Sequence, residues 1–268
     1  MNNQVNNFDL YYSPLTHKNN LLTMKTAFIT GANKGIGFET AKQLAGKGYY
    51  IFLGSRNIEK GIEAVDQLKA AGLQSAEPVQ IDISDEVSIE RAFLTLSSKS
   101  PMLDILINNA GISGGFPQHA SSTDILTIRK VFDTNFFGTI QVNQVFMPLL
   151  KKSDNAVIVN VTSGLASLTM HSDPNWKYYP VKSAAYGPSK TALNAYTIAL
   201  AYELRDTAIK VNAVDPGYTD TDFNNHTGTL HVTEAARQII QYAILEKEGP
   251  RGKFFSRDND SESGESKW

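Results

Sequence analysis

Tyr186 and Lys190 stand four positions apart in the segment YGPSK, a spacing that puts both on one face of a helix, one turn from each other. A free phenol titrates near ~10, too high for easy proton exchange at neutral pH, and a neighbouring ammonium favours the phenolate and lowers that value. The pair is suited to giving a proton to a carbonyl oxygen or taking one from an alcohol. A packed helix face with a snorkelling lysine accounts for the same spacing. A second chemistry lies near the start of the chain, in TGANKGIG from Thr30 to Gly37. A glycine-rich turn between a strand and a helix aims backbone N–H groups at an anion and so forms a seat for a pyrophosphate. Gly31, Gly35 and Gly37 are spaced GxxxGxG, which differs from the GxGxxG of the commonest dinucleotide fingerprint. Glycines also build ordinary turns, so the motif alone is weak.

Both groups need a scaffold, and the rest of the sequence supplies its pattern. Short apolar, β-branched runs recur as TAFIT, YYIFLG, EPVQID, DILINNAG, NAVIVNVTS, AIKVNAV and GKFFS. Most are separated by stretches of helical period such as IEKGIEAVDQLKAAG,. This alternation predicts an α/β fold, a Rossmann-type doubly wound sheet of mostly parallel strands with helices on both faces. With 268 residues, 41% of them hydrophobic, the chain can bury a full core as one α/β domain,, expected over residues 24–256. Residues 1–23 are asparagine-rich, lack the basic and apolar regions of a signal peptide, and read as a disordered extension,. SRDNDSESGESKW gives residues 257–268 the composition of a polar tail,.

Several chemistries drop out on composition. A net charge of −2 and a pI near 6.2 leave no global basic field for nucleic acid or an anionic membrane surface,. No segment carries the roughly 18 consecutive apolar residues of a membrane helix. The chain has no cysteine, hence no thiolate nucleophile and no Cys-ligated metal, which fits a reducing cytoplasm,. Five scattered histidines show no HExxH spacing, so no metal site is expected,.

Four further signatures follow the glycine turn in order: NNAG at Asn108–Gly111, NFFG with Asn135, VTSG with Ser163, and YGPSK with Tyr186 and Lys190. Together they resemble the short-chain dehydrogenase/reductase family in its single-domain subtype, over nearly everything from Lys25 to about Ser256. The resemblance implies a sheet of seven strands and NAD(P)-dependent redox chemistry between carbonyl and alcohol. It implies Tyr186 as general acid or base, Lys190 on both the phenol and the nicotinamide ribose, Ser163 orienting the substrate oxygen, and Asn135 holding a water of the proton relay. The cofactor carries the hydride and the protein supplies position and a proton.

Cofactor contacts carried over from the family fall on Gly31, Asn33, Lys34, Gly35, Ile36 and Gly37 in the turn, and on Asn109, Ala110 and Gly111 in NNAG. Asp82 and Ile83 follow the third strand, and Pro216, Gly217 and Thr219 lie over the nicotinamide. Asp82 also suits a helix cap or turn. Ser55 stands where NAD-preferring relatives carry an acid, Arg56 follows it, and Lys34 sits inside the turn. Without a carboxylate to repel the 2′-phosphate, and with two cations to hold it, the expected cofactor is NADP(H).

Two departures stand out. Ser163 and Tyr186 are 23 residues apart, farther than is common in the family, and the added stretch includes MHSDPNWKYYPVK. Its Trp176, Tyr178 and Tyr179 suit either the wall of a pocket for a flat or apolar carbonyl compound or a loop packed on itself. The stretch resembles a shortened form of the carbonyl reductase-like insertion, which covers the helix face used in dimerisation, so monomer and homo-oligomer both stay open. The segment TDFNNHTGTLHVT, which closes over substrate in the family, is short and polar and suggests an accessible pocket. The leading expectation is an NADPH-dependent carbonyl reductase acting on a small molecule. The alternatives are a catalytically silent NADP sensor that binds a protein partner, and an extended-subtype epimerase or dehydratase.

Overall fold

Each of the seven apolar runs contains a strand. The computed structural model describes residues 24–268, so the expectation for the N-terminal extension lies outside the described residues. The strands are β1 (Thr26–Ile29), β2 (Tyr50–Ser55), β3 (Ala76–Gln80), β4 (Ile105–Asn108), β5 (Val157–Val161), β6 (Lys210–Val214) and β7 (Phe254–Phe255). They form one sheet in the order β3-β2-β1-β4-β5-β6-β7, with every neighbouring pair parallel.

The strands are apolar on both faces because helices cover both. Phe28, Phe52, Leu106, Ile158 and Val211 point to one side, against α3 (Glu86–Lys99), α5 (Thr139–Leu150) and α7 (Tyr186–Glu203). Ile29, Ile51, Leu53, Ile107 and Val159 point to the other, against α1 (Gly35–Gly46), α2 (Ile58–Ala70) and α8 (Val232–Ala243). The helix starts follow local chemistry: Asn57 caps α2 by accepting from the Lys60 N–H, and Asp85 caps α3 by accepting from Val87,. α4 (Ile125–Phe132) runs into a π-helical turn at Asp133–Gly138 before α5 begins, and the short α6 (Leu168–His171) lies inside the added stretch.

Composition misreads the C-terminal residues, which fold back on the body. The Ser256 N–H donates to Gly264 O at 2.8 Å, the Ser266 N–H donates to Phe254 O at 2.8 Å, and Trp268 stacks on Phe254 at 5.6 Å between ring centres. The polar side chains that suggested a tail are its fasteners. Asn259 accepts from the Trp176 indole at 3.2 Å and donates to Ser266 Oγ at 2.9 Å. Asp258 accepts from Lys177 at 2.9 Å and from the Tyr178 hydroxyl at 3.0 Å. The added stretch and the C-terminal residues therefore hold each other.

Buried Asp215, just past β6, belongs to the same fastening: its carboxylate accepts from Ser256 Oγ at 2.6 Å and from the Gly217 N–H at 3.0 Å. Burial pushes its carboxyl up to about 6, against the pull of those hydrogen bonds, and Asp258 adds repulsion. A carboxyl raised in the folded state stabilises the fold in its protonated form, and that contribution is lost as pH rises through about 6,.

Two outcomes are expected. Ending the chain after Ser256 should cost at least about 3 kcal/mol, a fall in Tm of roughly 6–12 °C, because Phe254 loses its cover; calorimetry checks this. For Asp215→Asn, stability relative to the parent should rise by about 3 kcal/mol between pH 4 and pH 7, measured by urea unfolding at both pH values.

Candidate active site

The carboxyl ends of β1, β4, β5 and β6 all lie at one edge of the sheet, and the strand order reverses between β1 and β4, which is where ligands bind in open parallel sheets. The glycine turn stands at that point. Gly31 has φ +64°, and a Cβ there would lie 2.9 Å from the Ala110 Cα; a Cβ on Gly37 would lie 2.5 Å from Asn109 Nδ2 and from Gly31 O. Only glycine lets the turn and α1 approach the end of β4 this closely. The approach is pinned by Thr30, whose hydroxyl accepts from the N–H groups of Asn109 and Ala110 at 3.1 and 3.0 Å. The Asn109 side chain in return donates to Thr30 O and Gly31 O, both at 3.0 Å. Asn109 thus braces the turn.

Lys34 is the N-cap residue of α1 and provides no side-chain cap, and the first turn holds no acid. The N–H groups of Gly35, Ile36 and Gly37 begin that helix, with Asn33 just ahead of it, so the opening turn suits an anion. The residues present therefore fit a dinucleotide pyrophosphate. The Lys34 ammonium is held by Asp222 at 2.6 Å, a partner from the loop after β6 that sequence reading missed. Arg56 is exposed after β2. Ser55 is 1% exposed and its hydroxyl donates to Asn57 O at 2.7 Å. At the cofactor end its side chain brings no carboxylate. Asp82 Oδ1 accepts from the Ser84 N–H at 3.0 Å and from Ser84 Oγ at 2.6 Å, so that oxygen serves a turn. Ile83 is buried, with its carbonyl against the π turn at Gly138. Beyond Pro216 and Gly217, Thr219 is buried and turns its hydroxyl to Pro216 O and Gly217 O at 3.3 and 3.1 Å. Its hydroxyl hydrogen goes to its own turn, which leaves the oxygen's lone pairs as acceptors.

The four residues of the proton-transfer set lie on three elements at this edge. Ser163 follows β5, and its hydroxyl accepts from the Leu165 N–H at 3.2 Å. Tyr186 is the first residue of α7, and Lys190, one turn later, is buried with its ammonium donating to Val161 O at 2.8 Å. Asn135 is fully buried in the π turn; its amide donates to Ile112 O at 2.9 Å and Ser189 Oγ at 3.1 Å and accepts from the Ile112 N–H at 2.8 Å. Both amide hydrogens are committed, so the side chain ties the π turn to the β4 loop and α7. A Cβ on Gly111 would sit 3.1 Å from Asn135 Oδ1 and 3.5 Å from Lys190 Nζ, so Gly111 and these two side chains meet in one place.

Electrostatics differ from the sequence expectation. Burial, the largest effect, pushes the Tyr186 phenol well above its ordinary value, while hydrogen bonding with Ser163 pulls it down and the charge of Asp215 adds to the rise. Burial also draws Lys190 down to about 8. The expected lowering of the phenol by the ammonium is not met, because Lys190 points at Val161 O and desolvation outweighs the hydroxyl.

Around the phenol, Phe223 lies 5.5 Å and Phe116 6.4 Å from the Tyr186 ring centre. Both phenylalanines are about half exposed, and neither was singled out from the sequence. Trp176 is 6% exposed, packs on His171 and Tyr178, and spends its N–H on Asn259. Of the two expectations for it, pocket wall and packed loop, the packing fits the second, and its assignment to the substrate does not follow.

Comparison with known proteins agrees with this geometry. The short chain dehydrogenase family matches residues 25–230. A (+)-neomenthol dehydrogenase of Capsicum annuum is 32% identical, over 86% of this chain and 95% of its own. Salutaridine reductase of Papaver somniferum has a solved structure with TM-score 0.75 at 28% identity, covering 86% of this chain and 99% of that one. An NADPH-bound carbonyl reductase from chicken fatty liver superposes with TM-score 0.75 at 25% identity, over 87% and 96% of the two chains. With the sheet order, the glycine turn and the Ser163, Tyr186 and Lys190 arrangement alongside, the chain belongs to the short-chain dehydrogenase family of oxidoreductases, which act on carbonyl and alcohol substrates.

Proposed function

We propose that this protein is an NADP(H)-dependent reductase that converts a small-molecule ketone or aldehyde to the alcohol, with Tyr186 as the proton donor. The observation that carries the reading is the gathering of Tyr186, Lys190 and Ser163 at the sheet edge beside the glycine turn, an anion seat. A protonated phenol in this place can give its proton to a carbonyl oxygen. When bound, NADPH supplies the hydride. Ser163, which follows β5 at the same edge, orients the carbonyl oxygen toward the phenol. Lys190, brought down to about 8, is mainly charged at neutral pH and favours the phenolate left after transfer,. Asn135 keeps the start of α7 in register with the β4 loop through Ser189 and Ile112. Phe116 and Phe223 shelter the phenol from water, which strengthens each of these interactions.

The NADP preference rests on Ser55 in place of an acid, with Lys34 at the head of α1 and Arg56 after β2. It is consistent with the NADPH named in the chicken carbonyl reductase structure. The relatives named for neomenthol and salutaridine support reduction and oxidation at small-molecule carbinol and carbonyl centres.

NADPH should bind at least about tenfold more tightly than NADH, and alanine at both Lys34 and Arg56 should erase most of that gap. Asp222→Asn, which releases Lys34, should widen it. Fluorescence titration measures all three, and equal affinities in the parent protein would sink the NADP assignment.

Tyr186→Phe removes only the hydroxyl, so NADPH binding and fold should persist while single-turnover reduction of an accepted ketone falls by roughly 10² to 10⁴-fold. In the parent, reduction should hold across neutral pH and decline only on the alkaline side, as Lys190 loses its charge above about 8 and the phenol then ionises. A phenylalanine variant within a factor of about three of the parent rate would mean that another group is the acid.

A further inference from the structure

The helix that carries Tyr186 and Lys190 is capped only in part by its own lead-in, where Ser183 Oγ accepts from the Gly187 N–H at 2.8 Å. Ala185, its N-cap residue, has no hydrogen-bonding side chain, and the first N–H groups of a helix have no partner within it. The missing acceptor comes from the loop after β4. Gln118 is 4% exposed, and its Oε1 accepts from the Ala185 N–H at 3.1 Å and the Tyr186 N–H at 3.0 Å. Its Nε2 donates to Ser113 O at 2.6 Å and Gly115 O at 2.7 Å. Every donor and acceptor position of this amide is filled, two on the catalytic helix and two on its own loop. Its backbone carbonyl also accepts from the Ala184 N–H at 3.2 Å. Two residues earlier, the same loop sets Phe116 against the Tyr186 ring.

We propose that Gln118 is a positioning residue for the reaction at Tyr186: it caps the catalytic helix from outside and makes the loop that carries Phe116 and the proton donor move as one body. This rests on Tyr186 being the acid. The two ends of the amide do different work. The oxygen fixes the backbone of Tyr186 and hence the height of the phenol over the sheet edge. The nitrogen holds the loop closed, and with it the aromatic wall on the substrate side.

Two variants separate the ends. Gln118→Met keeps the length and loses both. Gln118→Glu keeps an acceptor for the helix but sets a second carboxylate oxygen against the carbonyls of Ser113 and Gly115. With an accepted ketone, Gln118→Met should lower kcat by about ten- to hundredfold, since misplacements of an ångström carry such penalties. NADPH affinity should change by less than about threefold, because the pyrophosphate seat is on β1 and α1. Gln118→Glu should keep kcat within about threefold while raising KM, and KM should fall again at low pH as the protonated carboxyl regains its donor. A merely structural role would lower Tm in both variants and leave kcat, KM and the pH profile alone, and that result overturns the proposal, as does an equal collapse of kcat in both. Should the methionine variant fail to fold, the split of KM from kcat in the glutamate variant decides. Amide hydrogen exchange gives a readout free of turnover: Ala185 and Tyr186 should exchange faster in Gln118→Met and stay protected in Gln118→Glu. If Tyr186→Phe stays active while this exchange pattern holds, the assignment of the acid fails and the coupling stands; unchanged exchange in Gln118→Met overturns the coupling itself.

Discussion

Parallel strand direction is the constraint from which the site follows. Because all seven strands run the same way, their carboxyl ends gather at one edge, and residues separated by more than 150 positions, such as Lys34 and Asp222, become neighbours. The strands can run parallel only if the connections return over both faces, and both faces must then be apolar. The two hydrophobic layers built on Phe28 and Phe52 on one side and Ile29 and Leu53 on the other satisfy that requirement. The reversal of strand order between β1 and β4 opens the crevice, and the glycine turn fills it because Thr30 and Asn109 tie the ends of those two strands together.

Desolvation sets the chemistry of the groups placed there. Burial acts on Tyr186 and Lys190 in opposite directions, raising the phenol and lowering the ammonium. Both shifts favour the neutral forms. Asp215 shows the same effect, its carboxyl pushed up to about 6 although it accepts hydrogen bonds from Ser256 and Gly217. Three ionisable groups are thus drawn toward neutrality by a shared low-dielectric surrounding.

Polar side chains far apart in sequence hold the loops over this edge. Asp258 and Asn259, near the end of the chain, fasten Lys177, Tyr178 and Trp176 of the added stretch. Asp222 joins the loop after β6 to Lys34 of the glycine turn, and His226 bridges Asp220 and Asp222 at 2.7 and 2.8 Å. The surface around the site is therefore organised by charge and hydrogen bonding, while the sheet beneath is organised by apolar burial.

That division explains what was legible in the sequence. The order of strands and helices, the glycine turn and the family were readable because each depends on local period, on a positive φ at Gly31, or on a short motif. The residues brought to the sheet edge, including Ser163, Tyr186 and Lys190, could be named for the same reason. Their partners could not. Nothing local marks Asn259 as the acceptor for Trp176, so a polar ending read as a tail and Trp176 stayed open between a pocket wall and a packed loop. Nothing in YGPSK shows that Lys190 turns to Val161 O, so the sign of the shift at Tyr186 was lost with it. Local period and covalent geometry were enough to set which strands form and which chemical types stand at their ends, since those follow from the burial of apolar runs and from short motifs. Only the tertiary structure decided how strongly each group is desolvated and which side chain answers it, because desolvation and hydrogen-bond partnership are properties of contacts across tens of residues of chain.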